Sequence, residues 1–432
     1  MNFSSTKSRI AVATLMLTLC ANASAVDTPQ AEILHWWSSK GEAAALNIFI
    51  EAFKSRGGHF YDSKKDDQVA SREEAIERLG KGYPPTLTQW NAGRDVREFY
   101  DFGLTSAITE PDIVEKLTES LPKAILDTVM YKDEIVALPI NIHSENWMWY
   151  SNELIDYQAS MISNNWKGLI DHGKELAKKD IPLLAVGDQS WQVRILFSSL
   201  FLGISRDLYK DVYLKRDPSA IDSAEFKQVL TTYTELAKLS KSFGDGNWNT
   251  QVKAVSDNQA GATFMGDWAK GEFNTLGKSA GSDFGCALTA GSDPSLLLVV
   301  DTFILGKVTD SLEKKGQALM LDIISDPETN QKFNALKGSV SPFYKPSADE
   351  LDPCSAQVYA ALAKDESVIP PYATYEDGGL LHKLDTVTYD LWKAANTDTD
   401  IDTMINTSIE LFKENILESI SGDNPSIANI DE

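Results

Sequence analysis

Two adjacent tryptophans stand between a predicted strand and a predicted helix. Trp36 and Trp37 stand at the end of the predicted strand 32–36, and the apolar residues of segment 46–53 then recur with helical spacing. Ligands of open α/β sheets bind beyond the carboxyl ends of the strands, and a flat indole face can cover the C–H side of a sugar ring. The position therefore predicts a carbohydrate contact. The alternative is a pair of core aromatics, although adjacent strand residues point to opposite faces.

Three charged side chains could complete such a site. Asp301 interrupts the apolar run 296–305, where an unpaired carboxylate would be costly to bury, so it must meet cations, amide donors or a ligand. Lys337 is a candidate partner, because Gly338 permits a turn that aims the lysine inward. Glu42 could accept hydrogen bonds from sugar hydroxyls. The alternatives are a structural ion pair for Asp301 and, for Glu42, a capping box with Ser39.

The other candidates for chemistry are sparse. Trp268 follows the predicted strand 261–265 and offers a second aromatic platform. Glu42 and Asp301 could in principle form a glycosidase pair, but a nucleophile elbow, a P-loop and a dinucleotide fingerprint are all missing from the sequence. His143 could bind a metal, yet the chain has five histidines without HxH or HExxH spacing. We therefore expect neither a metal nor a cofactor.

The elements that must position these residues alternate between strand and helix. This order predicts an α/β fold with largely parallel sheets, and 432 residues are enough for two domains. Ser71 and Glu74 have capping-box spacing and predict a helix over 72–80. Further helices are predicted near 166–179, 189–202, 222–242, 311–324, 327–336, 379–395 and 401–420.

The first 25 residues have the features of a secretory signal peptide. Lys7 and Arg9 precede an apolar segment that is too short to span a bilayer, and small residues lead to Ala25, the expected cleavage site. The alternative is a lipoprotein anchored through Cys20. The segment predicts export, and the periplasm is the location that the family resemblance below implies.

Composition restricts the partners and the redox state. A formal net charge of −23 makes nucleic acid a poor partner. Cys286 and Cys354 are the cysteines left after cleavage, and an even pair in an oxidising compartment favours a disulfide. Two buried free thiols are the alternative. Nothing in the sequence indicates a large apolar dimer face, so we expect a monomer.

Seven motifs together resemble one protein family. They are Glu32-Ile-Leu-His-Trp-Trp, Gly82-Tyr-Pro-Pro, Ala137-Leu-Pro-Ile-Asn-Ile-His, Asn146-Trp-Met-Trp, Met265-Gly-Asp-Trp-Ala-Lys-Gly-Glu-Phe, Val300-Asp-Thr-Phe-Ile-Leu and Leu336-Lys-Gly-Ser. In this order the chain resembles the periplasmic glucose-binding proteins of bacterial ABC importers, which are type II extracellular solute-binding proteins. The resemblance implies a binding protein and not an enzyme. It implies two α/β lobes with the ligand in the cleft between them, one formed by 26–140 plus 296–346 and the other by 141–295 plus 347–432.

The same resemblance implies a site and partners. Sugar would contact Trp36, Trp37, Glu42, Asn91, Trp268, Asp301 and Lys337. The partners would be a sugar and a membrane ABC permease, with a chemoreceptor as a further option, and the family's paired cysteines correspond to Cys286 and Cys354.

The chain departs from the glucose binders at two positions. They place a lysine where this chain has Asn91, and a histidine in the loop that here spans 370–375. Asparagine both donates and accepts hydrogen bonds, whereas lysine only donates. The ligand is therefore expected to be a sugar, with glucose, another aldose and a disaccharide all open.

Overall fold

The computed structural model describes residues 28–157, 166–289, 291, 295–364, 367–369, 378–397 and 399–422. The predicted signal peptide and the loop 370–375 lie outside these ranges. Across the described part of the chain, no helix combines the length and the apolar character that a membrane span requires.

Strands and helices alternate through most of the chain. The strands are β1 (Gln30–His35), β2 (His59–Lys64), β3 (Leu87–Asn91), β4 (Thr105–Ser106), β5 (Met130–Tyr131), β6 (Glu134–Ile135), β7 (Leu138–Ser144), β8 (Trp147–Ser151), β9 (Leu184–Ala185), β10 (Ser240–Lys241), β11 (Ala262–Phe264), β12 (Phe284–Leu288), β13 (Leu296–Gly306) and β14 (Val368–Ile369). The helices are α1 (Lys40–Ser55), α2 (Gln68–Lys81), α3 (Arg94–Asp101), α4 (Pro111–Ser120), α5 (Lys123–Val129), α6 (Trp166–Ala177), α7 (Ser190–Ile204), α8 (Arg206–Tyr209), α9 (Pro218–Ile221), α10 (Ala224–Lys238), α11 (Trp248–Ser256), α12 (Trp268–Thr275), α13 (Ser311–Ser325), α14 (Pro327–Lys337), α15 (Pro353–Leu362), α16 (Gly378–Ala394) and α17 (Ile401–Gly422).

The first sheet has the order β14-β13-β3-β1-β2, and β4 and β7 also pair with β13. Strand β1 runs parallel to β2 and β3, as the strand–helix alternation predicts. Strand β13 runs antiparallel to β3, β4 and β7. The first sheet is therefore mixed, because β13 pairs antiparallel with strands from the first third of the chain.

The second sheet has the order β10-β9-β11-β8-β12. Strands β9, β10 and β11 pair in parallel, whereas β8 runs antiparallel to both β11 and β12. It is a mixed sheet as well, so the prediction of largely parallel sheets holds only for part of each. The predicted lobe boundaries at 140 and 296 remain a prediction.

Two strands lead from one sheet toward the other. Strand β7 ends at Ser144, three residues before β8 begins in the second sheet. Strand β13 begins at Leu296, eight residues after the end of β12 in the second sheet, and runs through the first sheet to Gly306. The two strands pair with each other over residues 298–303, with a register shift between Asp301 and Thr302. Polar residues on this pair therefore lie where the two sheets approach.

The helix α2 begins earlier than its sequence predicts. Asp67 caps it by accepting a hydrogen bond from the Ala70 amide at 2.9 Å, so the predicted capping box of Ser71 and Glu74 is wrong. Ser71 is buried one turn inside the helix. This start places Arg72 in the second turn instead of the first.

The predicted disulfide is present. Cys286 on β12 is bonded to Cys354 on α15, with a Cα–Cα distance of 5.9 Å. The bond closes a chain segment with a sequence separation of 68 residues. In the chain-entropy view, such a closure stabilises the fold by reducing the freedom of the unfolded chain.

Candidate functional site

Asp301 lies at the centre of a buried polar cluster. In the register of β13 it stands opposite Asn91 on β3 and Asn141 on β7. The Asn91 side-chain amide donates to Asp301 Oδ1 at 2.9 Å, and the Asn141 amide donates to Oδ2 at 3.1 Å. The residue is 5 % exposed. The amide donors that the apolar run 296–305 requires are therefore supplied by neighbouring strands.

His143 joins Asp301 to a second carboxylate. Its Nδ1 hydrogen-bonds to Asp267, and its Nε2 lies 3.3 Å from Asp301 Oδ2. Burial would lower the pKa of His143, but the charge of Asp267 and the hydrogen bonds to Asp267 and Asp301 raise it above the ordinary value. In its protonated form the ring donates from both nitrogens. The side-chain nitrogen of Asn141, 3.0 Å from Nε2, then donates to Asp301 instead.

The charged form of Asp301 is favoured in turn. Burial would raise the pKa of this carboxyl, but the hydrogen bond and charge of His143, followed by the charge of Lys337, hold it below the ordinary value. Asp267, His143 and Asp301 thus form a row in which the histidine lies between two carboxylates, and all three side chains are buried. Within the described residues, no group of histidine, cysteine, aspartate and glutamate side chains is arranged to hold a metal ion.

Lys337 and Glu42 form a second ion pair, in which Lys337 is buried and Glu42 is partly buried. Lys337 ends α14, and Gly338 follows it with a φ of 95°, a conformation that favours glycine. The Lys337 ammonium donates to Glu42 Oε1 at 3.0 Å, whereas Glu42 Oε2 accepts from the backbone amides of Ser38 and Ser39 at 3.2 Å. Glu42 therefore completes the capping box of α1 and also pairs with Lys337. Lys337 acts on Asp301 through its charge alone.

The three tryptophans differ in exposure. Trp37 is 1 % exposed and packs against Phe303 and Phe333, with ring centroids 5.9 and 5.5 Å away. Trp36 and Trp268 are half-buried. The ring of Trp268 meets His143 edge-on at 5.1 Å. Trp36 and Trp268 thus have partly accessible faces, while Trp37 is a core residue in this state of the protein.

Arg72 and Gln68 on α2 extend the cluster. The Arg72 Nη2 group donates to Asn91 Oδ1 at 3.0 Å, and the Gln68 amide donates to the same oxygen at 2.9 Å. The Arg72 guanidinium also lies over the indole rings of Trp36 and Trp90, at 5.9 and 4.8 Å from their centres. No local pattern indicates either residue, because their contacts with Asn91 join a helix to a strand 19 and 23 residues later.

The lobes also touch beside the cluster. The carboxylate of Glu272, on α12, accepts a hydrogen bond from the Gly41 amide at the start of α1 at 2.8 Å. Helix α12 follows β11 of the second sheet, whereas α1 follows β1 of the first. Glu272 is 6 % exposed. This hydrogen bond therefore joins elements from the two sides of the cleft.

A separate groove opens on the second sheet. It encloses about 970 Å³ and is lined by Tyr150, Tyr157, Gln357 and Lys364 among others. None of the residues that the sequence predicts for sugar binding lines it. The groove borders the disulfide residue Cys286 and is distinct from the cluster around Asp301.

Comparison with known proteins identifies the family. Residues 71–378 match the model of the bacterial extracellular solute-binding proteins. The chain belongs to this family. A probable sugar-binding periplasmic protein of Rhizobium meliloti (strain 1021) is 30 % identical over 357 residues, which cover 82 % of this chain and 85 % of that protein. A protein of the same description from Brucella melitensis biotype 1 is 29 % identical over 360 residues, 83 % of this chain and 85 % of the relative.

Solved structures show the same fold. A chitin oligosaccharide binding protein superposes with a TM-score of 0.72 at 14 % identity, covering 90 % of this chain and 99 % of its own. The bacterial solute receptor AcbH, described as having an exclusive preference for β-D-galactopyranose, superposes with a TM-score of 0.70 at 17 % identity, covering 91 % and 99 %. The predicted two-lobe α/β fold is confirmed by these likenesses.

Proposed function

We propose that this protein is the periplasmic sugar-binding component of an ABC importer. The observation that carries the proposal is the buried, ionised Asp301 cluster beside the partly exposed rings of Trp36 and Trp268. Carboxylates and amides suit the hydroxyls of a sugar, and indole faces suit its C–H surface. Relatives named as probable sugar-binding periplasmic proteins support the same class of ligand.

The ligand that we propose is a monosaccharide such as glucose. Asp301 is 5 % exposed and Lys337 is 3 % exposed, so the polar groups leave room for few sugar hydroxyls at once. Structural neighbours bind ligands of different sizes, a chitin oligosaccharide in one case and β-D-galactopyranose in another. A different aldose or a disaccharide is therefore the second outcome that the test must distinguish.

Closure about β7 and β13 would capture the sugar. A ligand that touches both lobes only in the closed form shifts the open–closed equilibrium toward that form. Trp36 and Glu42 would contact it from the first lobe and Trp268 from the second, with Asp301 and Lys337 completing the site. Trp37 would support Trp36 from the core. The closed, loaded monomer would then dock on a membrane permease, and a chemoreceptor is a further partner for the same surface.

A hydrolytic role is disfavoured by the state of the two carboxylates. A glycosidase acid needs a raised pKa, and the pKa of Asp301 is lowered. Both oxygens of Glu42 are already engaged, Oε1 with Lys337 and Oε2 with the amides of Ser38 and Ser39. We therefore propose a binding protein and not an enzyme.

The proposal is tested by a thermal-shift screen of the purified protein, unfolded and refolded first to remove any retained ligand. Mono- and disaccharides are compared with amino acids and inorganic ions. A sugar at 100 times its Kd stabilises the folded state by about 2.7 kcal/mol, so one sugar should raise the melting temperature clearly. No shift with any sugar would contradict the proposal, and turnover of aryl glycosides would favour a hydrolase.

A further inference from the structure

We infer that Arg72 determines which sugar the site accepts, by donating a hydrogen bond from its guanidinium group to a hydroxyl of the ligand. This inference rests on the function proposed above. It adds to the site a residue that neither the sequence motifs nor the family resemblance indicates.

The guanidinium group is held in place from two sides. The indole ring of Trp90 lies 4.8 Å from its central carbon, and the ring of Trp36 lies 5.9 Å away. Its Nη2 donates to Asn91 Oδ1 at 3.0 Å. Stacking on aromatic faces fixes the plane of a guanidinium, so its remaining N–H groups point in defined directions.

One of those N–H groups is buried and unpaired. Among the described residues, Arg72 Nε has no hydrogen-bond partner. A buried donor without an acceptor costs free energy, and such groups in folded proteins call for an explanation. A sugar hydroxyl is an acceptor of suitable chemistry, and Trp36, the proposed stacking residue, lies directly beside the guanidinium.

Charged groups on several elements act on Arg72. Burial lowers its pKa, and the charge of Arg194 lowers it further, while the charges of Asp95 and Asp301 raise it. Arg194 lies on α7, on the side of the second sheet, whereas α2 lies on the side of the first. The Arg72 guanidinium is linked to Asp301 through Asn91, which accepts from Arg72 and donates to Asp301.

Asn91 connects the Arg72 guanidinium on α2 to Asp301 on β13. Its oxygen accepts from both Gln68 and Arg72, which turns its amide group toward Asp301. A lysine at position 91, as in the glucose binders that the chain resembles, would place an ammonium against the guanidinium of Arg72. In this chain the cationic donor beside Asn91 is Arg72 of α2. The planar guanidinium of an arginine and the compact ammonium of a lysine reach different hydroxyls. The preferred sugar should therefore differ between this chain and the glucose binders.

The first arm of the test measures affinity by calorimetry with the sugar found in the screen. Arg72→Gln should weaken binding at least tenfold, and Arg72→Lys should change the order of preference among aldoses. The matched control is Arg78→Gln on the same helix, because Arg78 pairs with Glu32 at 2.6 Å away from the cluster. This control should lower stability and keep the affinity within about twofold of the wild-type value. Unchanged affinity in Arg72→Gln would overturn the inference.

The second arm separates a direct contact from a positioning role. Wild type and Arg72→Gln are titrated with monodeoxy analogues of the bound sugar. If Arg72 donates to one hydroxyl, the substitution should have almost no effect for the analogue that lacks it and a full effect for the others. Equal weakening for every analogue would mean that Arg72 only positions Asn91 and Trp36, and would overturn the inference. If the wild-type protein binds no sugar at all, the proposed function fails as well, so the two failures are distinguishable.

Discussion

The charges around Asp301 are arranged so that each one is compensated by a neighbour. Asp267 and Asp301 flank His143, and Lys337 lies between Glu42 and the ring of Trp268. Breaking one member of a buried pair leaves an uncompensated charge, which is strongly destabilising. The cluster should therefore be sensitive to conservative substitutions and to pH.

The pH dependence of stability should follow His143. Because its pKa is raised on folding, its contribution is fully present below the ordinary value of about 6.5 and is lost as the pH rises through the folded pKa. The difference in free energy of unfolding between wild type and His143→Gln should therefore shrink between about pH 6.5 and alkaline pH. Urea denaturation at several pH values measures this difference.

The comparison with the variant is necessary because His35 has the opposite dependence. Burial lowers the pKa of His35 despite its contact with Asp62, so its contribution is present above about pH 6.5 and is lost as the pH falls through the folded pKa. This contribution cancels when two proteins that both contain His35 are compared. If the difference in free energy of unfolding between wild type and His143→Gln stays constant with pH, the raised pKa of His143 is contradicted.

At the scale of single elements, helix α12 connects the two sides of the cleft. The Glu272 carboxylate accepts from the Gly41 amide at the positive end of α1, where an acceptor contributes about 1 kcal/mol. If this contact forms only in the closed state, Glu272→Ala should weaken sugar binding about fivefold. Calorimetry measures the Kd, and Glu51→Ala, an exposed acid on α1, is the control. A lowered melting temperature with an unchanged Kd would show that the contact persists in the open form.

The sequence predicted the periodic elements well and the polar network poorly. The helices α13, α14 and α17 begin at or within one residue of their predicted starts, because their apolar spacing and caps are local signals. The link from Asn141 to Asp301 spans 160 residues and depends on the register of two strands, which no local pattern specifies. Arg72 carries no such signal either, because its role depends on a hydrogen bond to Asn91 on another element.

The motifs nevertheless include residues of the cluster whose contacts no single motif shows. His143 stands in one of the motifs, but its contacts with two carboxylates depend on Asp267, 124 residues later. The adjacent pair predicts a sugar contact for Trp37 as well as for Trp36, and in the structure the Trp37 ring packs against Phe303 and Phe333. The contact of sugar with each of the seven residues named from the family resemblance stays a prediction.

At the scale of the whole molecule, the cluster lies where the two crossing strands meet. Strands β7 and β13 carry Asn141, His143 and Asp301, so the polar contacts that would hold a sugar also join the segments about which the lobes would turn. Binding and closure would then be coupled through the same residues. The disulfide joins β12 to α15 and does not link β7 to β13.

The most direct test of this account is a calorimetric titration of the sugar found by the screen into wild type and Asp301→Asn. Asp322→Asn, which changes an exposed carboxylate on α13, is the matched control. We predict at least tenfold weaker binding by Asp301→Asn, a loss of about 1.4 kcal/mol, in a protein that still unfolds cooperatively, and unchanged binding by the control. Equal affinity in wild type and Asp301→Asn would contradict the claim that the buried cluster around Asp301 is the sugar site.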